Sequence, residues 1–116
     1  VGAPGSLEGD IPWHVKNLVI GAPRNWAKTV LEWNISSNPQ LTPHTDRGGC
    51  EKCLGAVTID GDLVTRNPAY YVIAHASKFV DSGSVRIDSN TFEVLPNVAF
   101  LRPDGKKVLI LSLIHI

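Results

Sequence analysis

Apolar and polar residues along this chain switch between a helical and a strand-like period. From Asp10 onward, Trp13, Val15, Leu18 and Val19 recur at near-helical spacing, which predicts a first helix. Asp10 can cap it, Pro12 is tolerated in its first turn, and Gly21 and Pro23 are expected to end it. Residues 29–34, Thr-Val-Leu-Glu-Trp-Asn, then read as a short strand buried on both faces that ends in polar and aromatic residues. The connection from Asn34 to Gly55 is long and holds Asn38-Pro39, Thr42-Pro43 and Gly48-Gly49; such a loop is usually functional. Residues 56–59 and 63–65, joined around Asp60-Gly61-Asp62, predict a small hairpin.

Asn67 and Pro68 then mark a second helix, as N-cap and first helical residue. Its apolar face would carry Val72, Ala76, Phe79 and Val80, and Asp81-Ser-Gly83 would stop it. Strand patterns follow at 85–87, 97–101 and 107–111, with a hairpin turn at Arg102-Pro-Asp-Gly105. The order matches the end of an α/β unit running into a β domain. Two helices and one buried strand do not close a core, and Val1 is not an initiator methionine, so the chain reads as a piece of something larger.

At 116 residues the chain is one small domain in length. Its formal net charge is zero, which gives no electrostatic footprint for nucleic acid or an anionic membrane. No run is long and apolar enough for a transmembrane segment, and no signal peptide is visible.

The chemistry-bearing residues are few. Trp33, between Glu32 and Asn34 at the carboxyl end of the expected strand, suits sugar binding: an indole covers the apolar face of a pyranose while polar neighbours take hydroxyls. Trp33 as ordinary core is the competing reading. Cys50-Glu-Lys-Cys53 is compatible with a disulfide pinning the long loop, with a zinc site completed by His44 and Asp46, with a redox pair, or with free thiols. A disulfide would fit an oxidising compartment. His75 is expected to be hydrogen-bonded and partly buried. Glu32 is the one carboxylate placed for chemistry; Glu8 and Glu51 lie in expected loops, so no facing carboxylate pair is found. No metal or cofactor is expected.

Residues 17–34, Asn-Leu-Val-Ile-Gly-Ala-Pro-Arg-Asn-Trp-Ala-Lys-Thr-Val-Leu-Glu-Trp-Asn, closely resemble a stretch of glycoside hydrolase family 30, which includes glucosylceramidases and endo-β-1,6-glucanases. Residues 48–60, 65–71, 75–79 and 98–108 resemble it too, in family order, so the resemblance covers roughly residues 7–110. It implies an α/β fold: the C-terminal end of a (β/α)8 barrel running into part of a side β-sandwich domain. Residues 1–83 would be the last βα units, with helix seven, strand eight at residues 29–34, the long loop, and helix eight at residues 67–80. Residues 84–110 would begin the C-terminal β-sandwich. Family members use a retaining mechanism with two glutamates; the nucleophile would lie just before Val1 and the acid/base further upstream, so no catalytic residue is expected here. Trp33 matches a family tryptophan lining the sugar pocket, and Cys50 falls near a loop position that approaches the sugar in some relatives.

Several positions depart from the family pattern. Pro23 stands where threonine is usual, Ala76 replaces a phenylalanine, and Leu41-Thr42 replaces a Gly-Gly pair before Pro43. Residues 111–116, Leu-Ser-Leu-Ile-His-Ile, match the translation of a sequencing-library adaptor and are expected to be a foreign tail. The expected function is that of a retaining β-glycosidase fragment acting on β-linked glucose, inactive alone, with a carbohydrate or glycolipid substrate and a secreted or extracytoplasmic location. The other class of reading is a small non-catalytic binding or structural module built around the C-x-x-C loop.

Overall fold

The structure is a computed structural model and describes residues 7–113. Helix α1 (Leu7–His14) runs into a π-helical stretch, Val15–Gly21, and a closing turn, α2 (Ala22–Arg24); helix α3 spans Pro68–Ser77. Strands β1 (Ser36–Ser37), β2 (Val57–Asp60) and β3 (Leu63–Arg66) form one sheet in that order. Strands β4 (Val85–Ile87), β5 (Asn97–Leu101) and β6 (Lys107–Leu111) form a second. The chain divides into two compact units: Leu31–Tyr71 with the described residues up to Ile11, and Pro12–Val30 with the described residues from Val72 onward. No helix among the described residues is long and apolar enough to cross a membrane.

The second unit carries most of the buried apolar side chains. Both pairings of its sheet are antiparallel, with β5 central. The three strands stand where the alternating pattern put them. Val98 and Ile110 are buried in the sheet, and the π-helical stretch packs against β5 with Val15, Val19 and Ile20 buried. Each such side chain contributes about 1.5–3 kcal/mol on removal from water. The wider i→i+5 turn brings positions 15, 19 and 20 to one side. It also explains Gly21, where an added Cβ would sit 3.2 Å from the carbonyl oxygen of Lys16, five residues back.

This helix differs from the sequence expectation at both ends. It is already formed at Leu7, so Asp10 lies inside it rather than capping it, and it passes through Gly21 and Pro23 to Arg24. Pro23 sits in the first turn of α2, where a missing N–H costs least. Arg24 then reaches across the unit. Its guanidinium donates to the Ser89 hydroxyl at 2.9 Å, the Asn97 carbonyl at 3.0 Å and the Thr91 hydroxyl.

The β5–β6 turn forms at Arg102–Gly105, with Gly105 at φ +81° and its N–H donating to the Arg102 carbonyl at 3.0 Å. The Lys106 backbone N–H donates to the Asp104 carboxylate at 3.1 Å. That bond, aided by the Lys106 and Arg102 charges, holds the Asp104 carboxyl below its ordinary value. Leu111 pairs with Asn97, and buried Ser112 donates its N–H to the Pro96 carbonyl at 2.9 Å. Leu111, the first residue of the expected foreign tail, therefore closes β6, and Ser112 is bonded just beyond it; residues 114–116 lie outside the described residues.

In the first unit the expected buried strand at residues 29–34 does not form. The segment carries no strand pairing, and Leu31 is 90% exposed. A strand covered on both faces takes its backbone hydrogen bonds from neighbours on either side, and no strand among the described residues pairs with it. Pairing begins just afterwards, where β1 joins β2 in parallel through Ser36↔Val57 and Ser37↔Thr58. The β2–β3 hairpin matches the sequence reading, shifted by about one residue. Its two-residue turn has Gly61 at φ +58°, as a type II′ turn requires at its first position.

Asn67 does precede a helix beginning at Pro68, and its carbonyl accepts from the Tyr70 N–H at 3.0 Å. Its side-chain amide does something other than cap. It donates to the Gly55 carbonyl and the Thr58 hydroxyl, both at 2.9 Å, fixing the entry to β2. On α3, Val72 is fully buried, but Phe79 lies past the helix end and is 48% exposed. His75 is exposed rather than partly buried.

Within the long loop, Asn38 closes residues 38–42 into a ring. Its Oδ1 accepts from the N–H groups of Gln40 at 3.0 Å and Thr42 at 2.9 Å, and its backbone N–H donates to the Thr42 carbonyl at 3.0 Å. The ring places Leu41 at φ +61°. This is the left-handed region, which costs a branched side chain about 1–2 kcal/mol and glycine nothing.

Two outcomes follow for stability. A Cβ at Gly55 would lie 2.7 Å from the Ser36 Cα and 2.9 Å from the Ser37 N. Gly55→Ala is therefore expected to lower stability by about 1–3 kcal/mol and to remove amide-exchange protection at Val57, whose N–H donates to the Ile35 carbonyl. Leu41→Gly is expected to leave stability unchanged or raise it by up to about 1 kcal/mol, since relief of the left-handed strain outweighs glycine's entropy cost; urea unfolding of the two chains side by side measures this.

Candidate functional site

Beyond residue 30 the first unit has little apolar core to shape it, so the position of its loop is set by polar side chains. Asn34 adopts φ +67°, a conformation asparagine tolerates better than most residues. Its Oδ1 accepts from the Ser36 N–H at 3.2 Å, and its carbonyl accepts from the Ala56 N–H at 3.1 Å. The backbone thus turns at Asn34 and locks to the start of β2. Trp33, immediately before this turn, is held out with its side chain 67% exposed.

Trp33 stands at the edge of an open concavity of about 470 Å³. Asn34, Leu41, Pro43, His44 and Thr45 line it from the polar loop, and Cys50 and Cys53 from the far end of that loop. Cys50 and Cys53 are joined by a disulfide. The structure thus brings Trp33 and both cysteines, far apart in sequence, to one surface. With both sulfurs bonded to each other, neither is available as a thiolate for zinc. Among the described residues no group of three or more His, Cys, Asp or Glu could hold a metal ion.

The concavity offers one broad aromatic face and several polar groups, namely the Asn34 amide, the Thr45 hydroxyl and the His44 imidazole. Among the described residues no carboxylate lines it. Glu32 is half-buried next to Trp33, and Glu8 and Glu51 are exposed. The arrangement can hold a polyol; it cannot, from its own lining, supply an acid and a base across a bond. Leu41, Pro43 and Thr45 were missed in the sequence. Their one signal was the odd Leu41-Thr42-Pro43 run in a loop rich in turn residues.

Comparison with known proteins places these features. A family model for the glycosyl hydrolase family 30 beta sandwich domain matches residues 83–112. An endo-1,6-beta-D-glucanase of Aspergillus fumigatus is 36% identical over 107 residues, covering 86% of this chain and 22% of the relative. An endo-1,6-beta-D-glucanase of Trichoderma harzianum is 34% identical over 102 residues, covering 83% of this chain and 21% of the relative. The lysosomal acid glucosylceramidase of Mus musculus is 35% identical over 81 residues, covering 68% of this chain and 16% of the relative. The solved structure of an endo-β1,6-glucanase superposes with a TM-score of 0.81 at 32% identity, over 96% of this chain and 26% of that one. The chain thus spans about a fifth of the length of the curated relatives it matches. Agreement of the β4–β6 segment with the family model, of the sequence with glucanases and glucosylceramidases, and of the fold with a glucanase structure leads to one conclusion: the chain belongs to glycoside hydrolase family 30 and corresponds to the C-terminal region of its members.

Proposed function

We propose that the whole protein hydrolyses β-glucosidic bonds, of the β-1,6-glucan or glucosylceramide type, and that this chain supplies one wall of the sugar pocket rather than the catalytic groups. The observation that carries this reading is the exposed Trp33 ring at the rim of a concavity that polar groups line, with no carboxylate among the described residues. A glucosyl ring laid on the indole would bury its apolar C–H face, and the neighbouring amide and hydroxyl groups suit its hydroxyls.

In this reading residues 29–34 serve as the closing strand of a (β/α)8 barrel, with neighbouring strands from outside the chain supplying its backbone partners. Residues 1–83 complete the barrel and residues 84–110 begin the side β-sandwich. Trp33 then stands at the carboxyl end of a barrel strand, the end at which such folds bind ligands. Two glutamates from outside residues 1–116 carry out a retaining displacement. One attacks the anomeric carbon while the other protonates the leaving oxygen, and water then releases the glycosyl-enzyme ester. Trp33 would fix the sugar ring against which that attack is aimed. The Cys50–Cys53 bond favours a secreted or extracytoplasmic location, where disulfides persist.

The gene should therefore place a glutamate at the end of a β-prone run a few residues before Val1. In the full-length protein, Trp33→Ala is expected to lower kcat/KM on β-1,6-glucan by roughly 10–100-fold, through loss of the stacking face. An unchanged kcat/KM in that variant would contradict the binding role.

A further inference from the structure

The second unit holds a larger cavity, of about 510 Å³, that shares no lining residue with the Trp33 concavity. One wall is the π-helical stretch with α2, contributing Lys16, Asn17 and Asn25; the other is the 89–97 loop, contributing Asn90, Phe92 and Glu93. We propose that this cavity is a second saccharide-binding site, taking a neutral glucan segment. The glucan identity of the ligand rests on the reading under Proposed function; the site itself rests on the following geometry.

The walls are pre-formed. Arg24 ties the helix end to the loop through Ser89, Thr91 and the Asn97 carbonyl. Asn97 holds the same loop from within, its amide donating to the carbonyls of Asn90 and Leu95, each at 3.0 Å. A ligand entering here meets a surface that needs little ordering, which is where binding energy is otherwise lost.

The lining chemistry suits a polyol. The amide NH2 groups of Asn17 and Asn25 donate back along their own helix, at 2.8 Å to the Trp13 carbonyl and 2.9 Å to the Gly21 carbonyl. Their Oδ1 atoms are thereby presented as acceptors for hydroxyl donors. Lys16, Arg24 and Glu93 are the charged side chains of the lining, and the Arg24 guanidinium is already committed to Ser89, Thr91 and the Asn97 carbonyl. Phe92, 50% exposed on the loop, offers a ring for the apolar face of a sugar. Asn97, 5% exposed, also lines the cavity, and its buried Oδ1 has no hydrogen-bond partner among the described residues. The wide π turn that makes room for this wall is a feature that recurs at functional sites.

The test titrates the isotope-labelled full-length protein with a thio-linked β-1,6 glucose tetrasaccharide, which resists hydrolysis, and follows backbone amide shifts. Saturable shifts are expected at residues 16–25 and 89–97, and they should persist in Trp33→Ala. Phe92→Ala should raise the Kd read from those shifts about tenfold, and Glu93→Gln should raise it severalfold. Both side chains are exposed, so the variants keep the fold, which the dispersion of the remaining amides reports. Shifts confined to residues 33–53 and lost in Trp33→Ala would overturn the second site and leave the sugar-pocket reading standing. Shifts at 16–25 and 89–97 with none around Trp33 would do the reverse. No shifts in either region, or shifts insensitive to both Phe92→Ala and Glu93→Gln, would overturn this site.

Discussion

The loop that carries Trp33 depends on asparagine side chains standing in for a missing core. Asn34 turns the backbone and ties it to β2, Asn38 closes the ring that holds Leu41, and Asn67 reaches back to Gly55 and Thr58. Each bond is worth only about 0.5–1.5 kcal/mol, but all except the one to the Thr58 hydroxyl also satisfy a backbone group of the loop. The buried apolar side chains of this unit are small, Ala56 and Ala69. Its shape therefore rests on directional bonds, which tolerate substitution poorly, rather than on burial, which tolerates volume-conserving exchange well.

The second unit is built the other way. Val15, Val19 and Ile20 lie against a sheet whose central strand buries Val98 and Ala99. A single polar device, the Arg24 guanidinium, spans 65 residues or more of sequence to reach the 89–97 loop. Half of the chain thus follows the familiar logic of apolar faces meeting. The other half is held by polar bonds, where precision of position matters more than depth of core.

This contrast explains what could be read from the sequence. The antiparallel sheet and both hairpins were legible because alternation and turn residues act locally: Gly61 and Gly105 each sit where a positive φ is needed. The helix ends were misread because Gly21 and Pro23 are ordinarily stops. A π turn that needs no Cβ at residue 21, followed by an α turn that accepts proline, is a tertiary solution with no local signature. Residues 29–34 carry the apolar pattern of a strand but no strand pairing, because a pattern forms a strand only beside a neighbour. The surface shared by Trp33, Cys50 and Cys53 could not be assembled from spacing, since the Asn38 ring and the β1–β2 pairing decide which parts of the loop meet. Glycine at position 55 was the one sequence mark of that pairing.

Leu31, Trp33 and Ile35 lie close together in sequence around the turn at Asn34 and are 90%, 67% and 83% exposed. Large apolar side chains left uncovered in this way form a surface through which one polypeptide recruits another. The colloidal behaviour of this chain therefore depends on uncovered surface residues such as these as well as on its cores. Its tendency to self-associate scales with concentration, and what relieves it is a neighbouring strand rather than a tighter interior.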